Sequence, residues 1–215
     1  MTATDGVSVD ALAARFAEQR VIPVLRSASA AALHDDVSRL VGAGFTTIEI
    51  TTSTPDWPTA LNALRADPVL SHATFGVGTV TSSEDAERAV RGGADFLVSP
   101  YPAPAVRAVA DGIPFIEGGY TPGEVAAAAG HGIAKLFPAR TAGPGHLRGI
   151  LDVLAGARIV PTGGLALDDV DDWLAAGALA VGLGGGLTSK PGEVLRAALD
   201  RWRQIPARPS RTSAS

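Results

Sequence analysis

The sequence contains no cysteine and one methionine, and of its eighteen lysine and arginine residues only two, Lys135 and Lys190, are lysine. The missing thiols exclude a disulfide scaffold, thiolate catalysis and cysteine-ligated metal sites, and they fit a cytoplasmic setting. Basic runs and basic stripes interleaved with aromatics are also absent. With a net charge of −4 and a pI near 5.5, nucleic acid is excluded as an expected partner. No window approaches the roughly 18 apolar residues that span a bilayer. Met1–Val7 has neither a basic n-region nor an apolar h-region, so no signal peptide is expected. The four histidines (His34, His72, His131 and His146) show no metal-ligand spacing, and no metal is expected.

What is present is apolar: 46% of 215 residues, enough for one sizeable core. Two patterns alternate along it. A short amphipathic helix is expected over Val9–Gln19, with Ser8 as N-cap. Eight strand candidates follow: Val21–Leu25, Thr46–Thr51, Thr74–Val80, Asp95–Ser99, Phe115–Gly118, Ile133–Ala139, Arg158–Pro161 and Ala178–Leu183. Each is followed by a helical pattern. The helices are expected at 30–43 (capped by Ser29), 56–67, 82–91, 104–110, 121–129, 145–154, 167–176 and 192–204. The strands are continuous apolar runs, as expected when both faces are buried. Eight strand–helix units predict a single-domain (β/α)8 TIM barrel over residues 8–205, with an extra N-terminal helix. A doubly wound open sheet is the alternative, but no Gly-x-Gly-x-x-Gly follows the first strand. Residues 1–7 are expected to be flexible, and the Pro- and Ser-rich tail 206–215 disordered.

In such barrels the active site lies at the C-terminal ends of the strands. Arg26, Glu49, Thr79, Ser99, Glu117, Lys135 and Thr162 stand in or just after seven different strands, and the barrel reading expects them to converge on one mouth. Lys135 sits in the stretch Ile133-Ala-Lys-Leu-Phe-Pro-Ala139, a lone amine in an apolar strand. A desolvated lysine can lose its proton and attack a carbonyl, which an arginine cannot do. The plain alternative is a strand-end lysine that reaches water or pairs with a carboxylate. Imine formation with a 2-oxo acid would need a proton shuttle. Glu49, the carboxylate embedded in an early strand, suits that role if burial raises its pKa; pairing Lys135 or Arg26 is its structural alternative. Arg26 suits a bidentate grip on a substrate carboxylate. Thr79 can add a hydroxyl donor. Thr162-Gly163-Gly164 and Gly184-Gly185-Gly186 follow strands seven and eight, where barrels commonly hold phosphate on backbone N–H groups.

Several motifs carry a family resemblance. Ile22-Pro-Val-Leu-Arg26, Ile48-Glu49-Ile-Thr, Gly76-Val-Gly-Thr79-Val, Val98-Ser-Pro100, Ala134-Lys135-Leu-Phe-Pro-Ala139 and Pro161-Thr-Gly-Gly164 resemble the successive motifs of the 2-keto-3-deoxy-6-phosphogluconate aldolase family. The resemblance runs over about residues 20–190. Glu49-Ile-Thr-Thr-Ser-Thr-Pro-Asp-Trp57 and Ala142-Gly-Pro-Gly-His-Leu147 look closest to the branch that cleaves 2-keto-3-deoxy-6-phosphogalactonate. The resemblance implies a class I pyruvate aldolase, usually a homotrimer, that needs no metal or other cofactor and takes a small 2-oxo acid substrate. It implies Lys135 as Schiff-base lysine, Glu49 as acid/base, and Arg26, Thr79, Pro100 and Phe137 around the pyruvate. The chain departs from the family at several places. Ser53 replaces the arginine of the gluconate branch, and Gly185 replaces a phosphate-binding serine. Glu117 stands where strand five usually has proline, which is expected to place a negative charge near the mouth. Tyr101 replaces a smaller or amide residue, and Arg140 stands where members vary. A 4-hydroxy-2-oxoglutarate aldolase, a non-phosphorylated sugar-acid aldolase, another phosphate-binding barrel enzyme and a non-catalytic binding barrel remain as alternatives.

Overall fold

Strand-to-strand pairing shows how the alternation resolves. The structure, a computed structural model, describes residues 7–110 and 112–206. The termini expected to be flexible or disordered lie, apart from Val7 and Pro206, outside the described residues. The strands are β1 (Val21–Leu25), β2 (Thr47–Thr51), β3 (Thr74–Gly78), β4 (Phe96–Val98), β5 (Phe115–Gly119), β6 (Ala134–Leu136), β7 (Ile159–Pro161) and β8 (Val181–Leu183). All pair in parallel, in the order β7-β6-β5-β4-β3-β2-β1-β8. The ring is joined between β7 and β8 by a parallel bridge, Thr162 to Gly182, and by the Leu179 N–H donating to the Ile159 carbonyl at 2.9 Å. The barrel is therefore present as the sequence predicts.

The helices are α1 (Val9–Gln19), α2 (Ala30–Gly42), α3 (Trp57–Ala66), α4 (Ser83–Arg91), α5 (Pro104–Arg107), α6 (Pro122–Ala129), α7 (Ala139–Val153), α8 (Val170–Ala175) and α9 (Gly192–Arg203). Local chemistry sets several of their starts. Ser8, Ser29 and Ser82 each accept a hydrogen bond from a backbone N–H three residues on, satisfying donors that a helix N-terminus leaves free. At α6 the exchange is reciprocal: Thr121 Oγ1 accepts from the Glu124 N–H, and the Glu124 carboxylate accepts from the Thr121 N–H. Helix α7 begins six residues earlier than predicted. It is broken at Gly143 (φ 74°, ψ 160°), a conformation glycine adopts without the clash a side chain would bring.

Alternate strand residues divide the core in two. One set, including Ile48, Ile50, Phe75, Val77, Leu97, Leu136 and Ile159, packs outward against the helices. The other, Ile22, Phe96, Val98, Ile116 and Val160, fills the barrel interior together with Leu12, Ala13 and Phe16 of α1. Phe16 meets Phe96 edge-to-face at 5.6 Å, so the extra N-terminal helix stoppers the floor of the barrel. Gln19, at the end of α1, binds that floor to the sheet. Its amide donates to the Val21 and Thr47 carbonyls, and its oxygen accepts from the Thr46 and Thr47 N–H groups.

Candidate active site

At the opposite end the strands open into a cleft of about 660 Å³. Eleven of the residues expected at the site line it: Arg26, Glu49, Thr79, Pro100, Lys135, Phe137, Thr162, Gly163, Gly164, Gly184 and Gly185. They arrive there by strand parity. In β6 the Ala134 and Leu136 side chains join the outer layer, which sends Lys135 inward; in β2 the same alternation sends Glu49 inward between Ile48 and Ile50.

Lys135 (5% exposed) and Glu49 (4%) meet at the base of the cleft, Nζ to Oε1 3.7 Å. That distance is an ion-pair contact, too long for a hydrogen bond, and Glu49 Oε1 has no hydrogen-bond partner. Burial pushes the Glu49 carboxyl above the ordinary carboxylate range, and nearby Lys135 pulls it only part of the way back. The Phe137 ring lies 5.4 Å from Lys135 Nζ and forms an apolar wall beside the amine. Thr162, also buried, lines the cleft on the neighbouring strand.

The carboxyl of Glu49 owes its place to a residue that the sequence reading passed over. A Cβ built at Gly78 would lie 1.8 Å from Glu49 Oε1 and 2.5 Å from its carboxyl carbon. Only glycine leaves that space, and a glycine inside a strand pattern was the available signal. The next residue, Thr79, has φ 62°, uncommon for a β-branched side chain, and its carbonyl accepts from Thr52 Oγ1 at 2.9 Å. Asp36, Ser27, Thr51, Leu165 and Thr188 also line the cleft and were not anticipated. Asp36 accepts from Ser27 Oγ at 2.8 Å, and the Ser27 N–H donates to Thr54 Oγ1, which ties together the loops after β1 and β2.

The rim differs from the base. Arg26 is exposed, and its guanidinium makes no hydrogen bond or ion pair among the described residues. Gly163 (φ 103°) packs under Phe137, where a Cβ would come within 2.7 Å of the ring. Arg140 does not line the cleft; its guanidinium donates to the Gly164 carbonyl at 3.3 Å.

Two expectations fail here. Ser99 and Glu117 do not join the mouth. Both have the opposite parity to their interior neighbours Val98 and Ile116, so their side chains point to the helix layer. Ser99 Oγ donates to the Tyr101 carbonyl. The Glu117 carboxylate accepts from the Ala103 N–H at 2.9 Å and from Arg107 through both Nε, at 3.1 Å, and a terminal nitrogen. Its charge is neutralised outside the cleft.

This geometry has relatives. The chain matches the family described as "Aldolase: KDPG and KHG aldolase" over residues 12–201. It belongs to that family of carbon–carbon lyases. A probable 2-dehydro-3-deoxy-6-phosphogalactonate aldolase of Rhizobium meliloti is 34% identical over 81% of this chain and 84% of its own length. The 2-dehydro-3-deoxy-6-phosphogalactonate aldolase of Escherichia coli is 29% identical over 78% of this chain and 83% of its own. Among solved structures, a 4-hydroxy-2-oxoglutarate/2-dehydro-3-deoxyphosphogluconate aldolase superposes with a TM-score of 0.77 at 35% identity, covering 90% of this chain and 97% of that one. Among the described residues, no helix of this family member is long and apolar enough to cross a membrane, and no three His, Asp or Glu residues are grouped as metal ligands.

Proposed function

We propose that this family member is a class I aldolase that cleaves a 2-keto-3-deoxy-6-phospho sugar acid of the galactonate type to pyruvate and glyceraldehyde 3-phosphate. The observation that carries the reading is the buried Lys135–Glu49 pair at the base of an open cleft. In the proposed reaction the neutral Lys135 amine attacks the C2 carbonyl, and with one proton taken up from solvent water leaves, forming a protonated imine. Glu49, as carboxylate, takes the proton of the C4 hydroxyl. The C3–C4 bond breaks, its electron pair passes into the imine to give an enamine, and the aldehyde departs. Glu49 then returns a proton to C3, and water hydrolyses the protonated imine to release pyruvate, the free amine and the proton taken up at the start. A raised Glu49 pKa suits a group that must both take and give a proton near neutrality.

The remaining cleft residues take supporting roles in this reading. Arg26 holds the substrate carboxylate, with Thr79, Pro100 and Phe137 around the pyruvate half. Gly163, Gly164, Gly184 and Gly185 present backbone N–H groups to the phosphate. Thr188, whose hydroxyl has no partner among the described residues, lies on the loop where Gly185 stands in place of a serine. The proposed assembly is a homotrimer and the proposed setting the cytoplasm. The first rests on the family resemblance, the second on the cysteine-free composition.

The deciding experiment is borohydride reduction in the presence of pyruvate, read by intact mass and peptide mapping. A reduced pyruvate adduct on Lys135 is expected; no adduct on folded protein in excess pyruvate overturns the reading. The similarity to a solved gluconate and hydroxyoxoglutarate enzyme makes substrate choice a second arm. Cleavage rates for the galactonate and gluconate substrates, which are epimers at C4, and for 4-hydroxy-2-oxoglutarate are to be compared, with the galactonate form expected to be fastest.

A further inference from the structure

The base and the rim of the cleft differ in exposure. Lys135, Glu49 and Thr162 are almost wholly buried at its base, so the half of the substrate bound to the amine lies there. Tyr101 lines the same cleft at the rim, 53% exposed, and its hydroxyl has no partner among the described residues. Arg26, also at the rim, is taken by the substrate carboxylate in the proposed reaction, whereas Tyr101 stands on the wall away from β1 and towards the half that leaves as aldehyde. In ring order β4, whose following loop holds Tyr101, stands four strands from β8, whose following loop holds Gly184 and Gly185. The two walls therefore face each other across the outer part of the cleft.

The backbone that carries Tyr101 is held unusually firmly for a loop. Its carbonyl accepts from Ser99 Oγ at 2.7 Å. The preceding Pro100 carbonyl lies where a Cβ on Gly118 would be, 2.1 Å away, so the loop is seated directly on β5. Two residues further on, the Ala103 N–H donates to Glu117. The same carboxylate receives the Arg107 guanidinium, which also lies over the Phe115 ring at 5.1 Å. Ser99 and Glu117, the two polar strand residues that miss the mouth, thus grip the segment that reaches into it.

We propose that Tyr101 is a specificity-determining residue for the aldehyde half of the substrate, and that Glu117 with Arg107 is the positioning device that holds it over the cleft. The inference rests on the aldolase reading above. The phenol offers one hydroxyl and one ring face to a hydroxylated, phosphorylated three-carbon aldehyde, chemistry that pyruvate does not share.

The test separates the two halves of the reaction. Pyruvate trapping and hydrogen–deuterium exchange at the pyruvate methyl group need only the residues proposed to hold the pyruvate half; cleavage of the full substrate needs those that meet the aldehyde half as well. Tyr101→Phe is expected to raise KM for cleavage severalfold and Tyr101→Ala about tenfold, the scale of one lost hydrogen bond plus its packing. Methyl exchange should stay within about twofold of the parent in both. Glu117→Gln, or Arg107→Lys should the first fold poorly, is expected to raise KM in the parent and to have no further effect in the Tyr101→Ala background. An unchanged KM in Tyr101→Ala overturns the specificity role. An equal loss of exchange and cleavage overturns it too. Additive effects of Glu117→Gln and Tyr101→Ala overturn the positioning role. If wild-type protein gives no pyruvate adduct at Lys135, the aldolase reading itself fails, a result separate from all of these.

Discussion

Two buried carboxylates in this barrel face cations, and they are treated in opposite ways. Glu117 is fully engaged: one oxygen accepts a backbone N–H and the other a two-pronged guanidinium. Glu49 keeps one oxygen without a hydrogen-bond partner, and its lysine stands off at 3.7 Å. A satisfied buried charge pair holds structure together, whereas an unsatisfied one is costly and persists where the groups have other work. Arginine, with its fixed fork, serves the first case. Lysine, a single amine able to lose its proton, serves the second.

The largest expected effect comes from removing the amine. Lys135→Met should abolish cleavage, by about a thousandfold or more. It should also lower the thermal midpoint, since removing one partner of a buried pair strands the other, and the loss should grow as pH rises through the raised Glu49 pKa. Activity assay and calorimetry on one preparation check both parts. Glu49→Gln should lower kcat by roughly 10²–10⁴-fold, the usual contribution of general acid–base catalysis. Its pH profile supplies a second readout. The base form of Glu49 starts the cleavage, so activity should fall as pH drops through its pKa. That pKa is raised by burial, so the acid limb should lie above the ordinary carboxylate range and vanish in the glutamine variant.

A smaller loss is expected at Gly78→Ala, whose methyl would displace the Glu49 carboxyl. A misplacement of about 1 Å can cost about a hundredfold in rate, while pyruvate trapping at Lys135 should persist. On the structural side of the comparison, Glu117→Ala strands Arg107 and the Ala103 N–H. It should lower stability by about 1–3 kcal/mol in denaturant titration, with the pyruvate partial reaction retained.

Much of this arrangement was legible before any coordinates. The strand–helix alternation located all eight strands, and Lys135 and Glu49 were distinguishable as a lone amine and a lone carboxylate within apolar strands. What the sequence hid was parity. When both faces of a strand are buried, apolar residues stand on both sides, so nothing in the pattern tells which side Ser99 or Glu117 takes. Pairing settles that, by sending Val98 and Ile116 inward. Gly78 was hidden for a related reason: its importance lies in a carboxyl from the adjacent strand, one pairing away in space and twenty-nine positions away in sequence. The early start of α7 was hidden because Gly143 and Pro144 read as a boundary, whereas the chain turns helical on both sides of them.

The helix stopper at the floor has a consequence for traffic. With Phe16 and its neighbours closing the far end, the described residues make the barrel a vessel open at the cleft, and whatever enters deepest is last to leave. In the proposed reaction pyruvate is bonded at the bottom and the aldehyde lies above it. The aldehyde must clear the passage before pyruvate can follow, and the water that frees pyruvate has to come in by the same door. Release is therefore ordered, and pyruvate, added as a product, should occupy the empty enzyme and compete with fresh substrate.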